Sequence, residues 1–168
     1  MSELTAPRKL TKADIREGFE SGAADLDQWF VKYAWENQAA NNATTYVITN
    51  DVRVVAYYSI AMAAIEKETA PADILKGSRP ASIPCILLAR LAVDRQWAGQ
   101  GLGWELLRDA LLRSVGLSKS IGAAAVLIHC RDENARAFYL ANGDFISSPV
   151  DDLHLIAPMK ALRSYVDG

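Results

Sequence analysis

The chain has 168 residues, 51% of them apolar and 23% charged, with a net charge of −2. That composition fits one soluble globular domain over residues 1–168 with a sizeable core, and excludes a disordered, fibrous or disulfide-built chain. No N-terminal stretch has signal-peptide order, and the longest uncharged apolar run, Val54 to Ile65, falls short of the roughly 20 residues that cross a bilayer. The expectation is a cytoplasmic protein with no membrane contact.

In chain order, "LTKADIREGF" offers Thr11 as an N-cap with Asp14 three residues on, a helical opening. Residues 24–42 place Leu26, Trp29, Phe30, Tyr33 and Ala34 at helical spacing, and "NN" at 41 and 42 ends that helix. "TTYVIT" and "VRVVAYYSIAMAAI", joined at Asn50-Asp51, read as a β-hairpin. Residues 66–83 hold loop signals and one helical turn at 72–76. "PCILLARLAV" is the most apolar strand and is predicted to be central. A glycine loop and a helix over 101–117 follow, then a buried strand in "AAAVLIHC", and a helix capped by Asp132 that ends near Gly143. "LHLIAPM" closes as a strand, and the last eight residues read as a tail. Cys85 and Cys130 both sit in apolar runs, as buried free thiols do in a reducing compartment. Strand–helix–strand in the second half implies a right-handed parallel crossover, with antiparallel strands on one side. The fold class is α/β, a central mixed β-sheet flanked by helices.

Charge is uneven. Residues 76–136 carry nine basic and five acidic side chains, so that segment is +4 and the rest of the chain −6. This is either a mixed solvated surface or a footprint for a polyanion such as coenzyme or RNA phosphates.

The stretch "LARLAVDRQWAGQGLGWELL" has Gly99, Gly101 and Gly103 at alternate positions between a strand and a helix. A glycine loop that opens a helix is a phosphate-binding arrangement, because free N–H groups and the helix dipole point at an anion. A P-loop needs Gly-Lys-Ser/Thr, but Gly103-Trp104-Glu105 stands here. A Gly-x-Gly-x-x-Gly fingerprint fails in both registers, at Trp104 and at Leu106. "QWAGQG", with Gln96, Gly99 and Gly101 in the pattern Gln/Arg-x-x-Gly-x-Gly, resembles the pyrophosphate loop of the GNAT superfamily of acetyl-CoA-dependent N-acetyltransferases. The strand "RLAVD", the helix after the loop and "AFY" on the next helix strengthen the resemblance.

"AADLDQWFVKYAWENQAANNATTYVI", "VVAYYSIAMAAI", "IPCILLARLAVDRQWAGQGLG" and "ENARAFYLANGDFISSP" resemble the acetyltransferase toxins of bacterial toxin–antitoxin pairs. The resemblance covers about residues 19 to 159 and implies acetylation of the α-amine of aminoacyl-tRNA. It also implies neutralisation by a small antitoxin with a ribbon–helix–helix part. Two positions depart from the family pattern. Gly143-Asp144-Phe145 inserts an acid into the usual glycine–phenylalanine pair, with a shifted strand edge as the expected result. Asp132 stands where many members place asparagine.

By resemblance, Tyr139 is the general acid for the leaving thiolate. The amides of Leu91 and Val93 hold the acetyl and pantetheine groups, with small Ala92 between them. Gln96, Gly99, Gln100, Gly101, Leu102 and Gly103 cradle the pyrophosphate. Arg95 is either a phosphate neutraliser or a solvated charge. Arg79 and Arg113 are placed toward the substrate. An α-amine titrates near about 8 and a lysine amine near about 10.4, so the former needs no dedicated base. His129, ending a buried strand, reads as structural, and His154 leaves both readings open. No metal-ligand spacing occurs, so no metal is expected. No Gly-x-Ser-x-Gly nucleophile site is present, so direct transfer is expected. Exposed aromatics such as Trp35 or Trp104 would serve a homodimer face. The alternatives are a GNAT enzyme for a small-molecule or protein amine, a silent acetyl-CoA sensor, and a nucleic-acid module without chemistry.

Overall fold

Seven strands and four helices form the chain in this computed structural model, which describes residues 3–167. The strands are β1 (Arg8–Lys9), β2 (Thr44–Asn50), β3 (Arg53–Glu66), β4 (Ser82–Val93), β5 (Ala125–His129), β6 (Ile146–Ser147) and β7 (His154–Pro158). They pair in the order β1-β2-β3-β4-β5-β7-β6. The apolar run of β4 is thus the middle strand, as expected for a strand buried on both faces. The helices are α1 (Ala24–Ala39), α2 (Leu102–Ser118), α3 (Glu133–Asn142) and α4 (Met159–Asp167). β4 and β5 run parallel, Ile86–Leu88 against Val126–Ile128, with α2 as the crossover. Antiparallel pairs lie on both sides of that crossover, not one: β1/β2/β3 and β5/β7/β6. The two-residue β1 and β6 are too short to carry an alternating pattern, so their sequences give no strand signal.

Contacts group the chain into two compact units. One runs to Ala61 and resumes over Ala89–Ala110; the other holds Met62–Leu88 and continues from Leu111. In the first unit, β2 and β3 form the expected hairpin, closed at Asn50↔Arg53 with Asp51 at φ 57°. Helix α1 buries Phe30 and Ala34, and Tyr57 stacks on Phe30 at 4.3 Å while its hydroxyl donates to the Leu26 carbonyl at 2.8 Å. Leu10, Phe19, Val47, Val54 and Ala92 complete this core. Tyr33 departs from the expected stripe and is 48% exposed; Trp35 packs partly buried against the core and is not a free aromatic. Asn41, at φ 62°, follows the helix end in the left-handed conformation that asparagine tolerates.

Residues 11–19 are turns, not the predicted helix. Asp14 bonds back to the Thr11 N–H at 2.8 Å, as a cap would, but it also takes two hydrogen bonds from Arg8, at 2.7 and 2.9 Å. Arg8 on β1 thus ties Asp14 to the sheet edge, and tertiary pairing overrides the local helical signal.

In the second unit, Ile74, Ile83, Cys85, Ala125, Leu127 and Ile156 form the core. Both cysteines are free and buried. Short 3₁₀ turns occupy Lys67–Thr69 and Ala72–Ile74. The expected C-terminal tail is instead α4. Met159 is buried, its N–H donates to the Ala124 carbonyl at 2.8 Å, and Arg163 donates to Ser118 Oγ at 3.0 Å. Met159, Leu162 and Val166 do lie at helical spacing, but nine residues are too few to mark a helix before its partner is known.

Burial alone would raise the Asp14 pKa; Arg8 and the Thr11 amide outweigh it and hold the carboxyl below its ordinary value. The stabilisation is therefore present above the unfolded pKa of about 3.9 and is lost as pH falls through the lower folded value. Asp14→Ala should cost about 1–3 kcal/mol at pH 7. Thermal melts of both proteins from pH 7 to pH 2 should show the gap closing below about pH 4.

Candidate active site

Where β4 ends, Asp94 organises the turn. Its N–H donates to the Val55 carbonyl at 2.8 Å, and its carboxylate accepts from the Glu20 N–H at 3.1 Å and the Gln96 N–H at 3.0 Å. One 3₁₀ turn, Arg95–Trp97, leads into the glycines. Gly99 and Gly101 sit at φ 78° and 81°, which L side chains resist, and no atom lies within 4 Å of where a Cβ would stand on either. Gly103 is in the first turn of α2, and Leu102, the first residue of that helix, is buried. The opening N–H groups of a helix lack partners inside it. A left-handed, open loop at a helix start fits a pyrophosphate, so these residues suit coenzyme A.

Other predicted positions behave differently. Ala92 points into the core with Phe19, Phe30 and Tyr57, so its small size serves packing and only its backbone is available to a ligand. Leu91 and Val93 are half-buried beside it. Arg95 is exposed and ion-paired with Glu20, which answers its charge locally. Arg79 donates from Nε to the Ile74 carbonyl at 2.7 Å and so fastens a loop. Arg113 is half-buried on α2. Trp104 is 48% exposed with the Arg108 guanidinium 5.9 Å from its ring. Trp29, on the helical stripe, packs against the core and carries the Arg90 guanidinium 3.9 Å above its ring. Sequence reasoning passed over both Asp94 and Arg90. Asp94 had a signal, an acid directly after an apolar strand and two residues before a loop amide it can accept from; Arg90 had none.

In the second unit, Asp132 caps α3 by accepting from the Ala135 N–H at 2.8 Å. Three turns of α3 set Tyr139 in the interior, 7% exposed, with Phe138 and Phe145 edge-on at 5.3 and 6.3 Å. Burial, and then the Cys130 thiol, push the phenol pKa well above its ordinary value, so Tyr139 holds its proton at neutral pH. The Asp144 carboxylate faces outward and accepts from the Tyr165 hydroxyl. β6 begins two residues later in regular register with β7, so the inserted acid is taken up before the strand. A Cβ on Gly143 would stand 2.6 Å from the Phe145 ring, so that glycine is required by contact.

His129 is exposed and is not the buried structural histidine expected. Its ring stacks on His154, with centroids 3.9 Å apart and planes 19° from parallel, and His154 Nε2 lies 3.5 Å from Asp151. Burial and then His154 hold the His129 pKa below its ordinary value, with Asp151 opposing.

Residues 41–143 match the family of acetyltransferase (GNAT) domains. The chain is 41% identical over 166 residues to the tRNA-acetylating toxin of Mycobacterium tuberculosis, covering 99% of each protein. Its fold matches that of AtaT complexed with acetyl-methionyl-tRNAfMet, with a TM-score of 0.88 and 23% identity over 98% of this chain and 99% of that one. It also matches an AtaT tyrosine-to-phenylalanine mutant bound to the C-terminus of the antitoxin AtaR and acetyl-CoA, with a TM-score of 0.83 and 24% identity over 99% of both chains. With its glycine loop opening α2 and its full-length kinship to a tRNA-acetylating toxin, this chain belongs to the GNAT acetyltransferase family.

Proposed function

We propose that the chain is an acetyl-CoA-dependent N-acetyltransferase toxin that acetylates the α-amine of aminoacyl-tRNA and so stops translation. The observation that carries this reading is the 41% identity across 99% of both chains to a tRNA-acetylating toxin. The partners that follow are charged tRNA, an antitoxin with a ribbon–helix–helix part, and a second copy of the chain, with exposed Trp104 a candidate contact. Its place of action is the cytoplasm, and residues 1–168 act as one catalytic domain.

Acetyl-CoA supplies an acetyl group activated as a thioester. The amides of Leu91 and Val93 orient that group, and Gln96, Gly99, Gln100, Gly101, Leu102 and Gly103 hold the pyrophosphate through backbone N–H groups. Ala92 supports the strand from the core side. Tyr139, kept protonated by its burial, donates its proton to the departing sulfur.

Tyr139→Phe keeps the ring and removes the donor. Turnover should fall roughly a hundredfold or more while acetyl-CoA affinity is retained, as single-turnover kinetics and calorimetry would show. At Gly101 the φ of 81° makes any side chain strained, so Gly101→Ala should cost about 1–3 kcal/mol in a denaturant melt. Gly101→Glu adds a negative charge facing the pyrophosphate and should abolish acetyl-CoA binding beyond that stability loss. Equal coenzyme affinity in Gly101→Glu would remove the loop from the binding site.

Phosphate contacts release counterions, so the KM for charged tRNA should rise steeply with salt. A salt series on the wild-type enzyme tests the substrate class. Acetylation of spermidine or a peptide amine, with charged tRNA untouched at every salt, would assign the enzyme to small-molecule or protein amines instead.

A further inference from the structure

Several cations of the first unit have acceptors beside them. Arg8 and Arg95 pair with Asp14 and Glu20, and Arg16 and Arg53 donate to the Val31 and Glu17 carbonyls. Arg90 differs. Its half-buried guanidinium lies 3.9 Å over the Trp29 ring and forms no hydrogen bond or ion pair among the described residues. Burial lowers its pKa, with Tyr57 and Asp25 opposing through space, and a guanidinium stays charged throughout the neutral range. We propose that Arg90, held flat on Trp29, binds a backbone phosphate in the unpaired 3′ end of the charged tRNA, with Tyr33 as the ring on which a terminal base stacks. This role rests on the transferase reading above.

The stacked geometry suits an anion. A guanidinium lying flat on an aromatic face keeps its N–H donors in its own plane, where a phosphate can take two of them at once. A half-buried cation whose donors find no protein acceptor has given up water without compensation, and an anion restores the balance. Trp29 fixes the side chain in turn, since it packs partly buried against the cluster that holds Phe30, Tyr57 and Ala92. By strand alternation Arg90 shares with Ala92 the face of β4 that α1 covers. Tyr33 lies one turn beyond Trp29 on the same side of α1 and is 48% exposed. A cation, a half-buried ring and an exposed ring thus follow one another on one face, the combination with which proteins hold single-stranded nucleic acid.

Two phosphate sources meet at this enzyme, the coenzyme and the RNA, and position on β4 favours the RNA. Arg90 directly precedes Leu91, whose amide is assigned above to the acetyl group, so it stands at the reacting end of the coenzyme. Three further residues of β4, roughly 10 Å of strand, and then the turn Arg95–Trp97 separate it from the glycine loop. An aminoacyl ester presented to the acetyl group brings the terminal nucleotide of the tRNA, with its 5′ phosphodiester, to that same end.

The test is KM for charged tRNA across a salt series in wild type, Arg90→Gln, Arg90→Lys and Tyr33→Ala, with acetyl-CoA affinity and Tm measured alongside. Losing one phosphate contact to a single strand should flatten the slope of log KM against log salt by about 0.7 in Arg90→Gln. Its KM at low salt should rise about tenfold or more, as for a lost charge-assisted hydrogen bond. Arg90→Lys keeps the charge but not the planar fork, so the slope should hold while KM rises severalfold. Tyr33→Ala should raise KM about fivefold or more with the slope unchanged. Acetyl-CoA affinity should stay at the wild-type value in all three. KM does not depend on the fraction of enzyme that is folded, so a lower Tm leaves these readings valid. An unchanged slope in Arg90→Gln overturns the proposal, and a loss of acetyl-CoA affinity there assigns the cation to the coenzyme and overturns it equally. Should Arg90→Gln not fold, a wild-type KM in Arg90→Lys or in Tyr33→Ala overturns it. Each of these outcomes leaves the transferase reading standing. If wild type acetylates no charged tRNA at any salt, that reading fails and this proposal falls with it.

Discussion

Asp94 stands where an apolar strand has to become a polar loop, and its carboxylate grips both sides of that change. One oxygen accepts from Glu20, ahead of α1, and the other from Gln96, the first residue of the loop motif, while its own N–H reaches Val55 on β3. Three chain segments far apart in sequence therefore meet at one side chain. A glycine loop is costly to order, since glycine loses more backbone freedom on folding than any other residue. Fixing its first turn from outside limits that cost to the residues that must adopt positive φ, Gly99 and Gly101. The loop is thus shaped before any ligand arrives, and preorganisation of this kind favours affinity for a phosphate group.

The core of the first unit carries the strand that feeds this loop. Tyr57 stacks on Phe30, its hydroxyl satisfies a helix carbonyl, and Ala92 enters the same cluster beside it. A larger residue than alanine at that position would press on aromatic rings packed at crystal-like density. The side chain of Ala92 thus belongs to packing and its backbone to the ligand face. Two residues earlier on β4, Arg90 lies half-buried over Trp29, where the aromatic face offsets part of the desolvation that lowers its pKa.

In the second unit the same economy appears in titration. Burial keeps Tyr139 neutral and, with the stacked His154 adding to it, holds the His129 pKa below its ordinary value. Environment, not residue type, sets each state.

The loop, the central strand, the hairpin and the helix bearing Tyr139 were all legible in the residues, because each rests on local patterning: alternate glycines, an apolar run, a two-residue turn, an aspartate cap. The GNAT resemblance followed from the same short stretches. What local pattern could not decide was anything set by a distant partner. Thr11 and Asp14 have the spacing of a helix cap, yet Arg8 on the sheet edge draws Asp14 into a turn. The last residues become a helix because Ala124 and Ser118 receive it. His129 looked buried because it ends an apolar run, and only the register with β7 brings His154 against it and leaves both rings at the surface. Arg95 could have been a phosphate partner until the Glu20 carboxylate met it. Sequence by itself determined the elements and the loop chemistry, since these depend on neighbours within a few residues. Tertiary structure alone decided which charges are answered and which side chains face outward, since those energies come from groups tens of residues away.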